Sequence, residues 1–245
     1  NREEGKARKL SSLKSFYDYY FKKNLIRTNP PRQVDVPKIK NKNIIRLDPN
    51  EIAQLLDEAE SGEKLSGRQL ASHEKTKVRD VAILTLLLGT GIRVSECVGL
   101  NLEDVDFNNG AIRIIRKGGN EALIYFGDEV SQALEAYMNG PRKKEEPAAG
   151  HEEALFISLN KTRITTRSVE RLVKKYSRLV TTVKKITPHK LRSTFGTALY
   201  QETGDIYLVA DTLGHKDVNT TKKHYAAIDE HRRRMAANVV KLRES

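Results

Sequence analysis

The sequence is poor in cysteine and aromatic residues and has no long apolar run. Cys97 is its only cysteine, and tryptophan is absent. A single cysteine excludes an internal disulfide and any zinc site built from several cysteines, so the fold must depend on packing. No apolar stretch reaches the roughly 20 residues of a membrane-spanning helix. The first residues also lack the apolar core of a signal peptide. We therefore expect a soluble, cytoplasmic protein.

Positive charge is in clear excess. The 245 residues include 44 Lys and Arg against 32 Asp and Glu, which gives a net charge of +12. Such an excess favours a polyanionic partner, with nucleic acid first and an anionic membrane second. The basic residues are scattered in pairs and triplets along the chain. This distribution favours a folded basic surface over a disordered basic arm.

Two domains are predicted, separated by a proline-containing segment. Apolar residues recur at helical spacing from Ala7 to Phe21 and predict an amphipathic helix. Because this helix opens almost at the first residue, we expect it to be the last helix of a domain that begins earlier. The stretch "TNPPRQVDVPKIKNKN" has three prolines, which predicts an extended linker. We therefore divide the chain into a domain fragment (1–29), a linker (30–47) and a second domain (48–245).

The second domain is expected to be mainly α with a small three-stranded antiparallel sheet. Asp48 can cap its first helix, 51–60, with Pro49 at the first position and Glu51 completing a capping box. A buried apolar helix, 78–88, should stop at Gly89. Three short strands, joined by turns that contain glycine, form the sheet. They are "LEDVDF", "AIRIIR" and "EALIYF".

The second half of this domain is expected to be helical. A helix should begin near Asp128, and "NGPRKKEEPAAGHEE" is predicted to be a polar loop. Further helices are predicted at 165–180, 188–203, 206–213, 219–226 and 229–242. Apart from Tyr225, the tyrosines fit helix or strand patterns and are assigned to packing.

Two arginines stand out by their positions. Arg93 follows the glycine-ended buried helix; alone, it could be a surface arginine paired with Glu96. His189 and Arg192 lie three apart at a helix start, with Thr187 as the potential cap, and therefore share a face. Cations oppose the helix dipole at that end, whereas an anion is favoured there. The pattern therefore hints at a bound anion.

Three further residues could act with these arginines. Lys117 lies at the hairpin tip "RKGGNE", where it could enter a DNA groove or be a solvated turn lysine. His215 precedes Tyr225 by ten positions, and Tyr225 could be a nucleophile or a half-buried core residue. Arginine offers a planar fork to phosphate oxygens, so two arginines and two histidines could surround one phosphate.

Five signals then occur together in a recognisable order. The chain resembles the tyrosine recombinases, the phage-integrase and Xer-like family, over nearly its whole length. The signals are "ARKLSSLKSFYDYYFKKNLIRTNP", "TGIRVSE", the hairpin lysine, "HKLRSTFGT" and "LGHKDVNTTKKHY". The resemblance implies a tyrosine-recombinase catalytic domain preceded by the last helix of a helical core-binding domain, and it implies site-specific cleavage and rejoining of DNA.

The resemblance also implies a role for each candidate residue. Arg93 and Arg192 would clamp the scissile phosphate, and His215 would hydrogen-bond it. Tyr225 would attack phosphorus, leaving a 3′-phosphotyrosyl link and a free 5′ hydroxyl. The remaining roles are proton transfer with the tyrosine for His189, general acid for Lys117 and support of the site for Glu96.

The expected partners are a double-stranded DNA recombination site and further copies of the chain, a tetramer in the synaptic complex. No cofactor, metal or membrane is implied. The spacing of His215, His224 and His231 is compatible with a metal site, but solvated basic helices explain them at least as well. The residues leave open whether Tyr225 serves its own active site or a neighbour's, and whether the last helix packs on its own domain or on a neighbouring copy.

Two other functions fit parts of the pattern. A DNA-binding relative without activity would keep the fold, but the full set of six candidate catalytic residues argues against it. A relaxing topoisomerase uses similar tyrosine and arginine chemistry but not the "LGH" and "TT" arrangement before the tyrosine. Site-specific recombination is therefore the first hypothesis.

Overall fold

The computed structural model describes residues 3–37, 45–116, 118–215 and 218. The chain divides into two compact units, Asn1–Asn43 and Ile44–Ser245. The expected boundaries at 29 and 47 stay a prediction. The helices expected at 219–226 and 229–242 lie outside the described residues.

The first unit is a helix followed by a short turn that packs on it. Helix α1 spans Glu3–Lys22, and a 3₁₀ turn spans Pro30–Gln33. The side chains of Asn29 and Arg32 both donate to Asp18 Oδ1, at 2.7 and 2.8 Å. This part of the proline segment therefore folds back on α1, whereas the sequence predicted an extended chain.

The second unit is mainly helical and carries one small sheet. The strands pair antiparallel in the order β1, β2, β3, as the sequence predicted. The elements are α2 (Pro49–Ser61), α3 (Gly67–Thr90), α4 (Val94–Gly99), β1 (Val105–Asp106), β2 (Ala111–Ile115), β3 (Glu121–Tyr125), α5 (Asp128–Tyr137), α6 (Thr166–Val180), α7 (Pro188–Thr203) and α8 (Ile206–Thr212).

Helix α3 is the centre of this unit and packs against α2, α5 and α7. Its apolar residues from Ala82 to Leu87 are buried on all sides of the helix. A helix that is apolar all round has to be covered by other elements, and here three helices surround it. The carboxyl end of α3 is thereby fixed in the middle of the domain.

Helix starts follow their capping signals. The predicted capping box is present, with Glu51 N donating to Asp48 Oδ1 (3.0 Å) and Asp48 N donating to Glu51 Oε2 (2.9 Å). Helix α3 begins at Gly67, far before the predicted start at Val78, after a second capping box of Ser66 and Gln69. Its first half is polar and has no apolar periodicity, so the apolar pattern predicts only the second half.

Four further local predictions were wrong. Helix α3 runs past Gly89, its predicted end, to Thr90. The first predicted strand begins as a 3₁₀ turn, Leu102–Asp104, and only Val105–Asp106 pairs with β2. The predicted polar loop after α5 opens with a π-helical turn that buries Arg142. Among the tyrosines assigned to packing, Tyr125 and Tyr207 are 70% and 71% exposed.

None of the helices in the described ranges is long and apolar enough to cross a membrane.

Candidate active site

The site begins at the turn that ends α3. Gly91 closes the helix with a φ of 63°, a conformation that costs glycine little. A Cβ at this position would overlap the ring of Phe195. The chain therefore turns sharply against α7 and presents the Gly91 carbonyl and, two residues on, Arg93.

Glu96 holds Arg93 at two points. Its carboxylate accepts from the Arg93 backbone N at 2.7 Å and from Arg93 Nη1 at 2.8 Å. The Glu96 side chain is 3% exposed, whereas that of Arg93 is 36% exposed. The predicted pairing is confirmed, but Arg93 is more than a surface partner, because its Nη2 also donates to the Gly214 carbonyl at 3.2 Å.

Helix α7 supplies His189 and Arg192. Pro188 is its first residue, as predicted, but the Thr187 side chain makes no capping hydrogen bond. His189 is exposed, whereas Arg192 is buried. Arg192 Nη1 donates to the Gly91 carbonyl at 2.5 Å, and its Nη2 donates to the Leu213 carbonyl. One guanidinium group thus ties the end of α3 to the end of α8.

The carboxyl end of α8 receives three guanidinium groups. We call residues 211–214 the arginine turn, because their carbonyl oxygens accept hydrogen bonds from Arg116, Arg192 and Arg93. The last carbonyls of a helix lack helical partners and carry partial negative charge, so cations are favoured there. His215 follows directly, with its backbone N bonded to the Ala210 carbonyl at 2.8 Å.

The arginine turn gathers cations from distant parts of the chain. Arg93 follows α3, Arg116 follows β2 and Arg192 comes from α7. Carbonyl oxygens carry only a partial charge, so they orient a guanidinium group without neutralising it. A cluster held in this way suits an anion with several oxygens, such as a phosphate.

The described residues include five of the predicted site residues. Arg93 and Arg192 meet at the arginine turn, and His215 immediately follows it. His189 lies one turn before Arg192 on α7, and Glu96 braces Arg93. Lys117, Tyr225, His224 and His231 lie outside the described residues. Arg116 was not predicted, because its only local signal is its place beside Lys117.

A basic groove lies beside the start of α7. It has a volume of about 740 Å³ and runs along α6 and the segment 181–188, ending at Pro188. Lys174, Arg178 and Lys185 line it. Lys184 also lines it, and its Nζ donates to Glu51 Oε2 at 2.5 Å. The groove extends positive surface from the helix that carries His189 and Arg192.

Cys97 can be set aside as a nucleophile. It is fully buried next to Glu96 in the chain, and burial raises the pKa of its thiol to about 12. The thiolate is the reactive form of cysteine, so a thiol with this pKa is inert at neutral pH.

Comparison with known proteins identifies the family. The model of the phage integrase family matches residues 45–232. Tyrosine recombinase XerC of Thermodesulfovibrio yellowstonii is 37% identical over 218 residues, 88% of this chain and 69% of that protein. XerC of Syntrophus aciditrophicus is 35% identical over 223 residues, 90% of this chain and 68% of that protein.

A solved structure agrees with these sequence matches. The Tn1549 transposon integrase (aa 82-397), in complex with circular intermediate DNA, superposes with a TM-score of 0.68 at 25% identity, covering 93% of this chain and 77% of that chain. The chain therefore belongs to the phage integrase family and is a site-specific recombinase of the tyrosine recombinase type.

Proposed function

We propose that this protein cuts and rejoins double-stranded DNA at a specific site through a 3′-phosphotyrosyl intermediate, without metal or ATP. The observation that carries the proposal is the arginine turn, where Arg93 and Arg192 converge on consecutive carbonyls just before His215. Three separate segments supply these residues. Their meeting at one point gives a phosphodiester a cationic binding site.

Duplex DNA is the substrate that the surface favours. The net charge is +12, and the basic groove continues from the amino end of α7. A polyanion longer than one phosphate could follow that groove, with Lys174, Arg178 and Lys185 contacting its backbone. The related Tn1549 integrase was solved in complex with DNA.

The arginines act on the phosphate itself. Attack on a phosphodiester adds negative charge to the non-bridging oxygens in the pentacoordinate transition state. Arg93 and Arg192 would neutralise that charge with fixed donors, and His215 would donate to the same phosphate. Because Glu96 holds Arg93 by backbone and side chain, that donor is oriented before DNA arrives.

The cleavage step moves two protons. The Tyr225 oxygen bonds to phosphorus as its proton passes to His189, and the bond from phosphorus to the 5′ oxygen breaks as Lys117 protonates that oxygen. A tyrosine of pKa about 10 is a poor nucleophile at neutral pH without such help. The phosphotyrosyl bond retains the energy of the broken phosphodiester, so a 5′ hydroxyl of a second strand reverses the step with a new partner.

Recombination between two sites requires several copies of the chain. We propose a tetramer on two DNA sites, working in the cytoplasm of a bacterial host. Each copy would then contribute one set of arginines, and Tyr225 would act in its own or in a neighbouring set. Adduct formation in mixtures of Tyr225→Phe and Arg192→Ala chains separates these two arrangements.

Trapping the covalent intermediate tests the proposal. We use a duplex selected from a random-sequence pool by binding and nicked near the cleavage position. After cleavage, the short fragment that carries the free 5′ hydroxyl dissociates, and the adduct is trapped. We expect a DNA-linked protein band on a denaturing gel, which Tyr225→Phe abolishes. The matched control is Tyr207→Phe, which alters an exposed tyrosine and should keep the band.

Other outcomes would support the rival functions. Binding of the selected duplex without any adduct would indicate a silent DNA-binding relative. Relaxation of a supercoiled plasmid that lacks the selected site, at the same rate as one that carries it, would indicate a topoisomerase. An adduct that survives Tyr225→Phe would refute the proposed nucleophile.

A further inference from the structure

Arg116 joins the β2–β3 hairpin to the arginine turn. Its guanidinium group donates to the Asp211 carbonyl at 3.4 and 3.5 Å and to the Thr212 carbonyl at 3.3 Å. Its backbone closes the hairpin, with Arg116 N donating to the Asn120 carbonyl (2.8 Å) and Gly119 N donating to the Arg116 carbonyl (3.0 Å). One residue therefore holds both the hairpin turn and the end of α8.

The guanidinium group also packs on Gly214. A Cβ at Gly214 would overlap Arg116 Nη1 and Cζ, so glycine is what lets the arginine approach the backbone. Arg116 Nε is shielded from solvent and has no hydrogen-bond partner among the described residues. The side chain is thus half-buried, with its Nε covered and its guanidinium group lying against the turn.

Arg116 differs from its neighbours in the hairpin. Ile115 is 67% exposed, and residues 118–121 are all exposed. Gly118 and Gly119 have φ angles of 105° and 84°, which only glycine adopts at low cost. The described residues of the tip therefore contribute little packing of their own, and the contact of Arg116 with the arginine turn is what anchors it.

We propose that Arg116 is a positioning residue that fastens the hairpin to the arginine turn and so delivers the next residue, Lys117, to the scissile phosphate. This inference rests on the proposed function, in which Lys117 protonates the leaving 5′ oxygen. The same turn holds Arg93 and Arg192. In this proposal the arginine turn positions both the general acid, through Arg116, and the two arginines that bind the phosphate.

Changing the leaving group from oxygen to sulfur separates a loss of general acid catalysis from a general loss of activity. In normal DNA the bond from phosphorus to the 5′ oxygen breaks, and the departing alkoxide needs the lysine proton. In a duplex with sulfur at that bridging position, the bond from phosphorus to sulfur breaks instead. A thiolate leaves without a proton, because a thiol has a pKa of about 8.5. Loss of the general acid should therefore slow oxygen cleavage but not sulfur cleavage.

The experiment compares adduct formation on matched oxygen and sulfur duplexes. We expect Arg116→Ala to cleave the oxygen duplex about 100-fold more slowly, the lower end of the range for general acid catalysis. On the sulfur duplex it should stay within about threefold of the unmodified protein. Lys117→Ala should show the same pattern, and Arg116→Lys should recover part of the oxygen rate because it restores a donor to the carbonyls.

Arg163 supplies the matched control. Its Nη1 donates to the Leu100 and Val98 carbonyls at 2.7 and 3.1 Å, so it too anchors a helix end through backbone oxygens. Any loss in Arg163→Ala should be equal on both duplexes. An equal loss on both duplexes in Arg116→Ala would overturn the inference and leave the proposed function standing. Absence of an adduct from the unmodified protein on both duplexes would overturn the function itself.

Discussion

Guanidinium groups in the second unit are held in two ways, by a carboxylate in a buried cluster around Asp80 and by carbonyl oxygens at the arginine turn. In the buried cluster, Arg79 donates to Asp80 Oδ1 through Nη2 at 2.7 Å and Nε at 3.1 Å. Tyr176 and Thr76 donate to the other carboxylate oxygen, each at 3.0 Å. The positive charge thus meets a full negative charge. At the arginine turn, the guanidinium groups of Arg116 and Arg192 instead lie on carbonyl oxygens.

The buried cluster includes two titratable side chains with shifted pKa values, Tyr176 and His73, whose Nδ1 lies 3.0 Å from the Tyr176 hydroxyl oxygen. Burial, reinforced by the charge of Asp80, raises the pKa of Tyr176, and the Asp80 hydrogen bond acts in the same direction. Burial and the charge of Lys175 lower the pKa of His73. Tyr176 and His73 therefore stay neutral at physiological pH. The Arg79 guanidinium group thus meets a full negative charge in the interior, whereas those of Arg116 and Arg192 lie on carbonyl oxygens that leave their charge available to the anion we propose.

The largest expected effect is on catalysis at the arginine turn. Arg192→Ala should slow adduct formation about 1,000-fold, as loss of a donor to developing negative charge does. Rates are measured per folded molecule, because Arg192 also holds two carbonyls. The control is Arg178→Ala in the basic groove, which should cleave far faster than Arg192→Ala at saturating DNA. A decrease below tenfold in Arg192→Ala would contradict the proposed role of Arg192 at the phosphate.

The buried cluster should show the opposite behaviour. Asp80→Ala leaves Arg79 and Tyr176 without their carboxylate and should lower the free energy of unfolding by about 3–5 kcal/mol. Urea unfolding measures this loss, and adduct formation per folded molecule should stay near that of the unmodified protein. Glu74→Ala, which breaks an exposed pair with Lys77, should cost less than about 1 kcal/mol. A selective loss of cleavage in Asp80→Ala would contradict the assignment.

A smaller effect should appear with pH. Because the pKa of His73 is lowered in the fold, the unfolded chain binds a proton there at higher pH than the folded chain does. The free energy of unfolding should therefore fall as pH drops below about 6.5, by up to about 1.4 kcal/mol per pH unit. Urea unfolding between pH 7 and 5 measures this slope. His73→Asn should flatten the slope, and an unchanged slope in that variant would exclude His73 as its source.

Local signals let the sequence predict part of this fold. The capping box at Asp48 and the proline at the start of α7 each mark a helix start by side chains within one turn. The start of α3 was missed even though Ser66 and Gln69 carry the same signal. The apolar pattern was followed there instead, and it begins only where α3 becomes buried. Capping residues were therefore the better guide to helix ends.

Long-range contacts could not be predicted in this way. Arg116 and Asp211 are 95 positions apart, and Arg142 is buried in a stretch whose composition indicates a polar loop. The family resemblance indicated Arg93, Arg192 and His215 but not the carbonyl oxygens that orient them. Those partners belong to the backbone of one turn, and backbone groups leave no residue pattern in a sequence.

We propose above all that the guanidinium groups at the arginine turn neutralise charge on a scissile phosphate. Replacing one non-bridging oxygen of that phosphate by a methyl group removes its negative charge. We expect the roughly 1,000-fold gap between the unmodified protein and Arg192→Ala on normal DNA to shrink below about tenfold on the methylphosphonate duplex. A gap of the same size on both duplexes would contradict the account.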